Sequence, residues 1–443
     1  MPQKAIRLTD VPAAGTDLED YVAALFHASG YYVEKSLVER DPDDVLELDI
    51  VATRYTEKHP DSIIVEAKGG KWGYTDIFKV VGWMRYLHQA RGAFFVVRDQ
   101  SKDVGRVKLR SSRMGVSFVH LDDFARASQI FEEAELGSPS SSAVVNLWRF
   151  SSMVERKLVK NIHSDIKVRP EAIGPTEILR YHRLVNDGIF FTETHVETLE
   201  MLYGAYKDHP KLTLAAAQEL QNGTYDPNPA LEQNALIREA LIQGNHNILQ
   251  SSLYAEHRAR LAILRAAVNL CCTYPGGYES SLESGSDEWN AYWLLPQTFR
   301  EALTWLSAQR NFHLYALFWQ QFLWGWGGFY LRHIQETEFE WMSKYSGLPS
   351  ADIPSALETF DRFFPMGKSS WITESNYTDI VQVKLMPMAF QGIGAHQRRQ
   401  EYDDAKLEKI GGIGYTVTNM KRWINLTVDF LGGIYIEEPD ELA

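Results

Sequence analysis

Leu46-Glu47-Leu48-Asp49-Ile50-Val51-Ala52, a polar connector, and then Ser62-Ile63-Ile64-Val65-Glu66-Ala67-Lys68-Gly69-Gly70 decide how the chain folds. Both runs are short, apolar and rich in β-branched residues, so they read as neighbouring strands. Each also carries a carboxylate in an awkward place: Asp49 inside the first, Glu66 at the end of the second. A carboxylate drawn into an apolar interior must be neutralised, paired or bound to a metal. If the strands form a hairpin, Asp49 and Glu66 lie side by side at one end of a sheet. Alternation then puts Lys68 on the face of Glu66, two residues further on.

Working outward, Gly15-Thr16-Asp17-Leu18-Glu19 has a capping-box pattern, with Thr16 at the cap and Glu19 three residues later. Leu18, Tyr21, Val22, Leu25 and Phe26 give a helical face that Gly30 closes. Tyr31 to Val38 reads as a first strand, and Asp41-Pro42-Asp43-Asp44 as a turn into the second. Beyond the third strand, Ile77, Val80, Val81, Met84 and Leu87 have helical spacing. Ala93 to Val97 reads as a strand buried on both faces, and Val116 to His120 as a last one. Helix, three strands, helix, strand, helix and strand predict an α/β domain over residues 10–125.

A linker is expected over 126–142, most clearly at Gly137-Ser138-Pro139-Ser140-Ser141-Ser142. Residues 143–443 read as a mostly helical module, with a subdivision near 365–375 and breaks at Gly174-Pro175, Asp226-Pro227-Asn228-Pro229 and Tyr274-Pro275-Gly276-Gly277. Ile380 to Leu385, Gly414 to Thr418 and Ile434 to Ile436 alternate in a β-like way and suggest a small terminal sheet. The length of 443 residues itself favours two or three domains.

The net charge of −13 argues against a protein that coats nucleic acid or membrane non-specifically. Its two cysteines, adjacent at Cys271 and Cys272, rule out a disulfide framework or a four-cysteine zinc site. The first residues carry no apolar run, so no signal peptide is expected. Tyr315 to Leu331 comes closest to a membrane span, but two central glutamines and three glycines point to a buried helix. Trp319 to Trp326 within it reads as core. A soluble, cytoplasmic protein is the expectation.

The chemistry lies with Asp49, Glu66 and Lys68. Paired carboxylates repel, and a bound Mg²⁺ or Mn²⁺ turns that repulsion into binding, with the Ala67 backbone carbonyl as a natural extra ligand. An ammonium beside them can orient water or stabilise charge developing on a phosphate. No GxxxxGK[ST] loop, no GxGxxG after a strand and no HExxH occurs; Gly392-Ile393-Gly394 and Gly411-Gly412-Ile413-Gly414 read as plain glycine-rich turns.

The order of elements, Asp49, and Glu66-Ala67-Lys68 as a (D/E)XK signature resemble the PD-(D/E)XK endonucleases, most closely restriction-endonuclease domains of the Mrr type. Glu19 adds to the likeness, since many members carry an acidic residue in the opening helix. The motif departs from the strict form in that Leu48, not proline, precedes Asp49. The resemblance covers about the first quarter of the chain. It implies a restriction endonuclease-like fold with a central mixed sheet flanked by helices. It also implies Asp49 and Glu66, with Glu19 as a further candidate, as ligands of Mg²⁺ or Mn²⁺, and Lys68 as the catalytic lysine. The implied activity is metal-dependent hydrolysis of DNA phosphodiesters in restriction or anti-phage defence. The alternatives are a nuclease-fold scaffold that no longer cuts, and a nuclease acting on RNA or branched repair intermediates.

Lys102, Arg106, Arg110 and Arg113 recur at helical spacing and form a basic stripe suited to phosphate contacts; Lys71 and Lys79 are further candidates. Residues 1–140 hold 18 Lys and Arg against 22 Asp and Glu, and the other 303 hold 27 against 36. Weak non-specific affinity is therefore expected, and the C-terminal module is an unpromising main DNA surface. That module is expected to recognise, regulate, or contact another copy or a partner protein.

Overall fold

The computed structural model describes residues 6–7, 15–39, 45–55, 59–97, 103–168, 182–186, 194–207, 247–274, 281–366, 369–374, 378–402 and 415–435. Lys102, the Asp41–Asp44 turn, the breaks at Gly174-Pro175, Asp226–Pro229 and 275–277, and the glycines at 411–414 lie outside the described residues.

The N-terminal elements run β1 (Ile6–Arg7), α1 (Thr16–Ala28), β2 (Tyr32–Glu39), β3 (Leu46–Tyr55), β4 (Pro60–Lys68), α2 (Tyr74–Tyr86), β5 (Arg91–Val96), α3 (Val104–Ser112), β6 (Val116–His120) and α4 (Ala127–Glu133). From α1 to β6 the order is the expected one. Strands β2 to β6 form one mixed sheet in sequence order. The first three are antiparallel; β5 and β6 then add in parallel, each after a crossover helix. Alternation gives every central strand two apolar faces. Ile50, Val65, Phe95 and Val119 join Leu18, Val22 and Phe26 of α1 in one core. Leu48, Ile64, Phe94 and Phe118 join Ile77, Val80 and Met84 of α2 in the other.

One detail at the start of α1 departs from the expectation. Gly15, at φ +69°, is the cap and makes no side-chain cap bond, so the Thr16–Glu19 capping box does not form. Thr16 Oγ1 instead accepts a hydrogen bond from Arg156 at 2.8 Å. Glu19 is thus not engaged in capping.

The remaining helices are α5 (Ser142–Val168), α6 (His195–Tyr206), α7 (Asn247–Thr273), α8 (Asp287–Leu294), α9 (Gln297–Ser307), α10 (Tyr315–Gln320), α11 (Gln335–Ser346), α12 (Ile353–Phe363), α13 (Met388–Glu401) and α14 (Tyr415–Phe430). With them, β7 (Phe329–Leu331), β8 (Ile372–Glu374) and β9 (Ile380–Val383) form a small antiparallel sheet in the order β7-β9-β8. β10 (Ile434–Tyr435) pairs in parallel with β1. Thr416 to Thr418 are helical, a correction to the β-like reading: Val417 and Met420 repeat at helical spacing and are buried. Gly392 and Gly394 sit within α13 rather than in a turn; they are glycine for close packing, since a Cβ would collide with Thr427 at the first and with the backbone of Trp326 at the second. Trp319, Phe322 and Trp324 are core, as their spacing suggested.

The two parts share a core. Segment 126–142 contains α4 and buries Phe131 and Leu136 in the apolar cluster that also holds α1 and the helices beyond α5. Near 365–375, Trp371 is buried in the same cluster as it enters β8. The edge strand β2 is covered as well. The Gln320 carboxamide accepts from Val33 N at 2.8 Å and donates to Val33 O at 2.7 Å, as a neighbouring strand would. No helix among the described residues is long and apolar enough to cross a membrane.

Candidate active site at the fork of two strands

The ladder between β3 and β4 ends at Ile50 opposite Val65. One step further along that register, Asp49 and Glu66 face each other. β4 continues against β5 through Lys68, while β3 continues against β2 through Leu46, so the sheet splays at this point. A splayed antiparallel pair leaves backbone groups without ladder partners. Asp49 supplies one: its Oδ2 accepts from Ala67 N at 2.9 Å. That bond fixes the Asp49 carboxylate across the fork, beside Glu66.

Glu66 is fully buried. Its Oε1 lies 2.7 Å from Lys68 Nζ and 3.3 Å from Lys79 Nζ, and its Oε2 is 3.4 Å from Lys79 Nζ. Both lysines are partly exposed, so each ammonium links a buried charge to water. Lys79 also rests over the Trp83 ring, 4.2 Å from its centroid.

The electrostatics tie four side chains into one cluster. Burial and the neighbouring Glu66 charge push Asp49 up to about 7; Glu19 adds to the rise, and the Ala67 N–H and Lys68 oppose it. Burial, then Asp20 and Glu66, raise Glu19 above the ordinary carboxylate range. Burial alone would pull the Lys68 ammonium down, but its hydrogen bond to Glu66 and the charges of Glu66, Asp49 and Asp76 hold it above its usual value. Three carboxylates therefore share a pocket of charge with two ammonium groups.

The predicted residues divide accordingly. Asp49, Glu66, Lys68 and Glu19 come together, and Lys79 joins them by bonding Glu66. Lys71 is exposed in the loop before α2. Arg106, Arg110 and Arg113 are exposed on and just beyond α3, which lies against the far edge strand β6. Of these, Arg110 sits 5.9 Å from the Tyr74 ring at the start of α2. Asp20, Lys35 and Arg156 went unread. Lys35 Nζ bonds Asp20 at 3.1 Å and Glu155 at 3.0 Å, and Arg156 meets Asp20 at 2.8 Å. The available signal was two opposite charges, each set inside an apolar segment.

Among the described residues, no group of three His, Cys, Asp or Glu side chains is gathered closely enough to hold a metal ion. The donor types nevertheless suit a hard divalent cation: carboxylate oxygens from Asp49 and Glu66, with a backbone carbonyl at Ala67. Burial first, and then the Glu66 charge beside it, raise Asp49, and both are conditions that a bound cation would offset. Comparisons with family models, with curated proteins and with solved structures find no match to this chain.

Proposed function

We propose that the fork is the active site of a metal-dependent endonuclease that hydrolyses DNA phosphodiesters. One observation carries the reading: Asp49 and Glu66 are held face to face beyond the end of a ladder, with Asp49 raised by burial and by Glu66, and a lysine ammonium 2.7 Å from Glu66. Asp49, Glu66 and the Ala67 carbonyl would hold Mg²⁺ or Mn²⁺, with Glu19 as a further candidate. Such an ion supplies Lewis-acid stabilisation of the phosphate and a water of lowered pKa. Lys68 stays protonated at neutral pH, so its role is to orient water and stabilise anionic charge rather than to take up a proton. The exposed Phe78, beside Tyr74, with Lys79 and Arg110 nearby, provides an aromatic and basic surface suited to nucleic acid. Restriction or anti-phage defence is the setting that the family resemblance suggests.

A second reading, a nuclease fold that binds without cutting, draws on a different observation. Both Glu66 oxygens already meet ammonium groups. A panel of double-stranded, single-stranded and branched DNA and of RNA, each with Mg²⁺, Mn²⁺ or EDTA, separates these readings. Metal-dependent cleavage of DNA is expected, with Asp49→Ala, Glu66→Ala and Lys68→Ala each losing on the order of 10²-fold or more in rate. Undiminished cleavage by Glu66→Ala would sink the assignment. Mn²⁺ binding by calorimetry with no cleavage of any substrate would favour the scaffold.

A further inference from the structure

Between the sheet and the helical module lies a cavity of about 600 Å³, within the roughly 300–1,000 Å³ typical of small-molecule sites. It is separate from the fork; none of Asp49, Glu66 or Lys68 lines it. Tyr254, Trp324 and Phe390 form an aromatic wall, with Trp324 and Phe390 centroids 4.5 Å apart and Tyr254 within 6.0 Å of Phe390.

The charge lining it is unevenly committed. Its two acids are engaged: Glu34 bonds Arg265 and lies 3.7 Å from Nη2 of Arg258, and Glu155 bonds Lys35 and Tyr254. Arg258 is only 5% exposed, and its Nη1 has no hydrogen-bond partner among the described residues. A guanidinium is costly to bury with a donor unmet. At the rim, Lys157 and Lys160 are exposed three residues apart on α5, hence on one helical face. An aromatic wall with surplus cations around one cavity matches a planar ring that carries multiple negative charges.

We propose that this cavity binds a nucleotide, its base against Trp324 and Phe390 and its phosphates toward Arg258, Lys157 and Lys160. Flat bases stack on aromatic faces, and phosphate pairs with guanidinium and ammonium groups. Occupancy would be felt at the fork's edge, because Arg156, next to Lys157 on α5, bonds Thr16, Asp17 and Asp20 in the first turns of α1.

The test is calorimetry on the full chain with ATP, AMP, adenosine and inorganic phosphate. EDTA is present throughout, so that phosphates cannot reach the carboxylate fork through a metal. Saturable one-to-one binding of ATP or AMP is expected, at least tenfold tighter than adenosine or phosphate alone. Lys157→Glu/Lys160→Glu, both at exposed positions, should weaken it at least tenfold with an unchanged melting temperature. Glu66→Gln should leave it intact, which keeps the result independent of any nuclease activity. The proposal is overturned if neither nucleotide binds saturably, if the double variant binds as the parent does, or if a short oligonucleotide displaces bound ATP while excess AMP does not.

Discussion

Two buried clusters of charge in this molecule are built on opposite principles. On the β2 side, Glu34 is 2% exposed and faces Arg258 and Arg265 of α7, both almost wholly buried, with cations matching or exceeding acids. At the fork, Glu66 bonds Lys68 and Lys79, which are 34% and 44% exposed, and Asp49 and Glu19 lie beside it. The first cluster pairs its carboxylate within the protein and lies deep between sheet and helices, along the wall of the cavity. The second carries an excess of carboxylate and opens toward solvent. Compensated charge joins the sheet to the helical module, whereas an excess of carboxylate is what a metal ion can balance.

That contrast breaks most sharply by truncation. Arg265→Ala removes a partner from a buried carboxylate and should cost about 3–5 kcal/mol in urea unfolding. Glu66→Gln, in metal-free protein, should change stability by about 1 kcal/mol or less, or raise it, since it relieves Asp49 and leaves lysines that can turn to water. Equal losses in both variants would erase the distinction.

The pH response should differ too. Asp49 titrates at about 7 in the fold against an ordinary 3.8, so the folded protein binds the extra proton between those values. Its contribution to stability is therefore full below about pH 4 and is lost as pH rises to about 7, amounting to roughly 2–4 kcal/mol. Compared with Asp49→Asn in EDTA, the parent should lose stability across that window, and Mg²⁺ should restore part of it. Parallel curves for the two proteins would show that Asp49 does not carry the effect.

A smaller loss is expected at the join itself. Gln320→Ala strips two hydrogen bonds from the edge of β2 and leaves buried Val33 groups unmet, so denaturation should report a cost of about 1–3 kcal/mol. The smallest effect concerns the basic stripe. Arg110→Ala should leave stability within about 0.5 kcal/mol. If the stripe meets phosphate, the salt dependence of DNA binding should fall by about one unit of slope. An unchanged slope would detach α3 from the substrate surface.

Much of the α/β part was legible in the chain because its signals are local. Alternation in Leu46–Ala52 and Ser62–Lys68 sets strand and face, and a short connector allows one hairpin, so Asp49 and Glu66 had to approach each other. Glu19 is ambiguous in sequence, since a capping box explains it equally well; the cap falling on Gly15 and the long-range bond from Arg156 to Thr16 show the box unformed. Thr416–Thr418 misled because three residues of alternation are too few to distinguish strand from helix. The Ser-rich stretch before α5 is largely exposed, in keeping with its composition, while the burial of Phe131 and Leu136 just before it depends on distant partners.

The sequence alone thus determined the order of elements and the placement of Asp49, Glu66 and Lys68, because period-two alternation and hairpin pairing act over a few residues. The tertiary structure decided that Lys79 turns onto Glu66, that Asp49 caps Ala67 across a splayed ladder, and that Gln320 completes the edge of a strand 287 positions away in the chain. Contacts at such separation leave no periodic trace in the sequence. They follow from which buried groups would otherwise lack a hydrogen-bond partner.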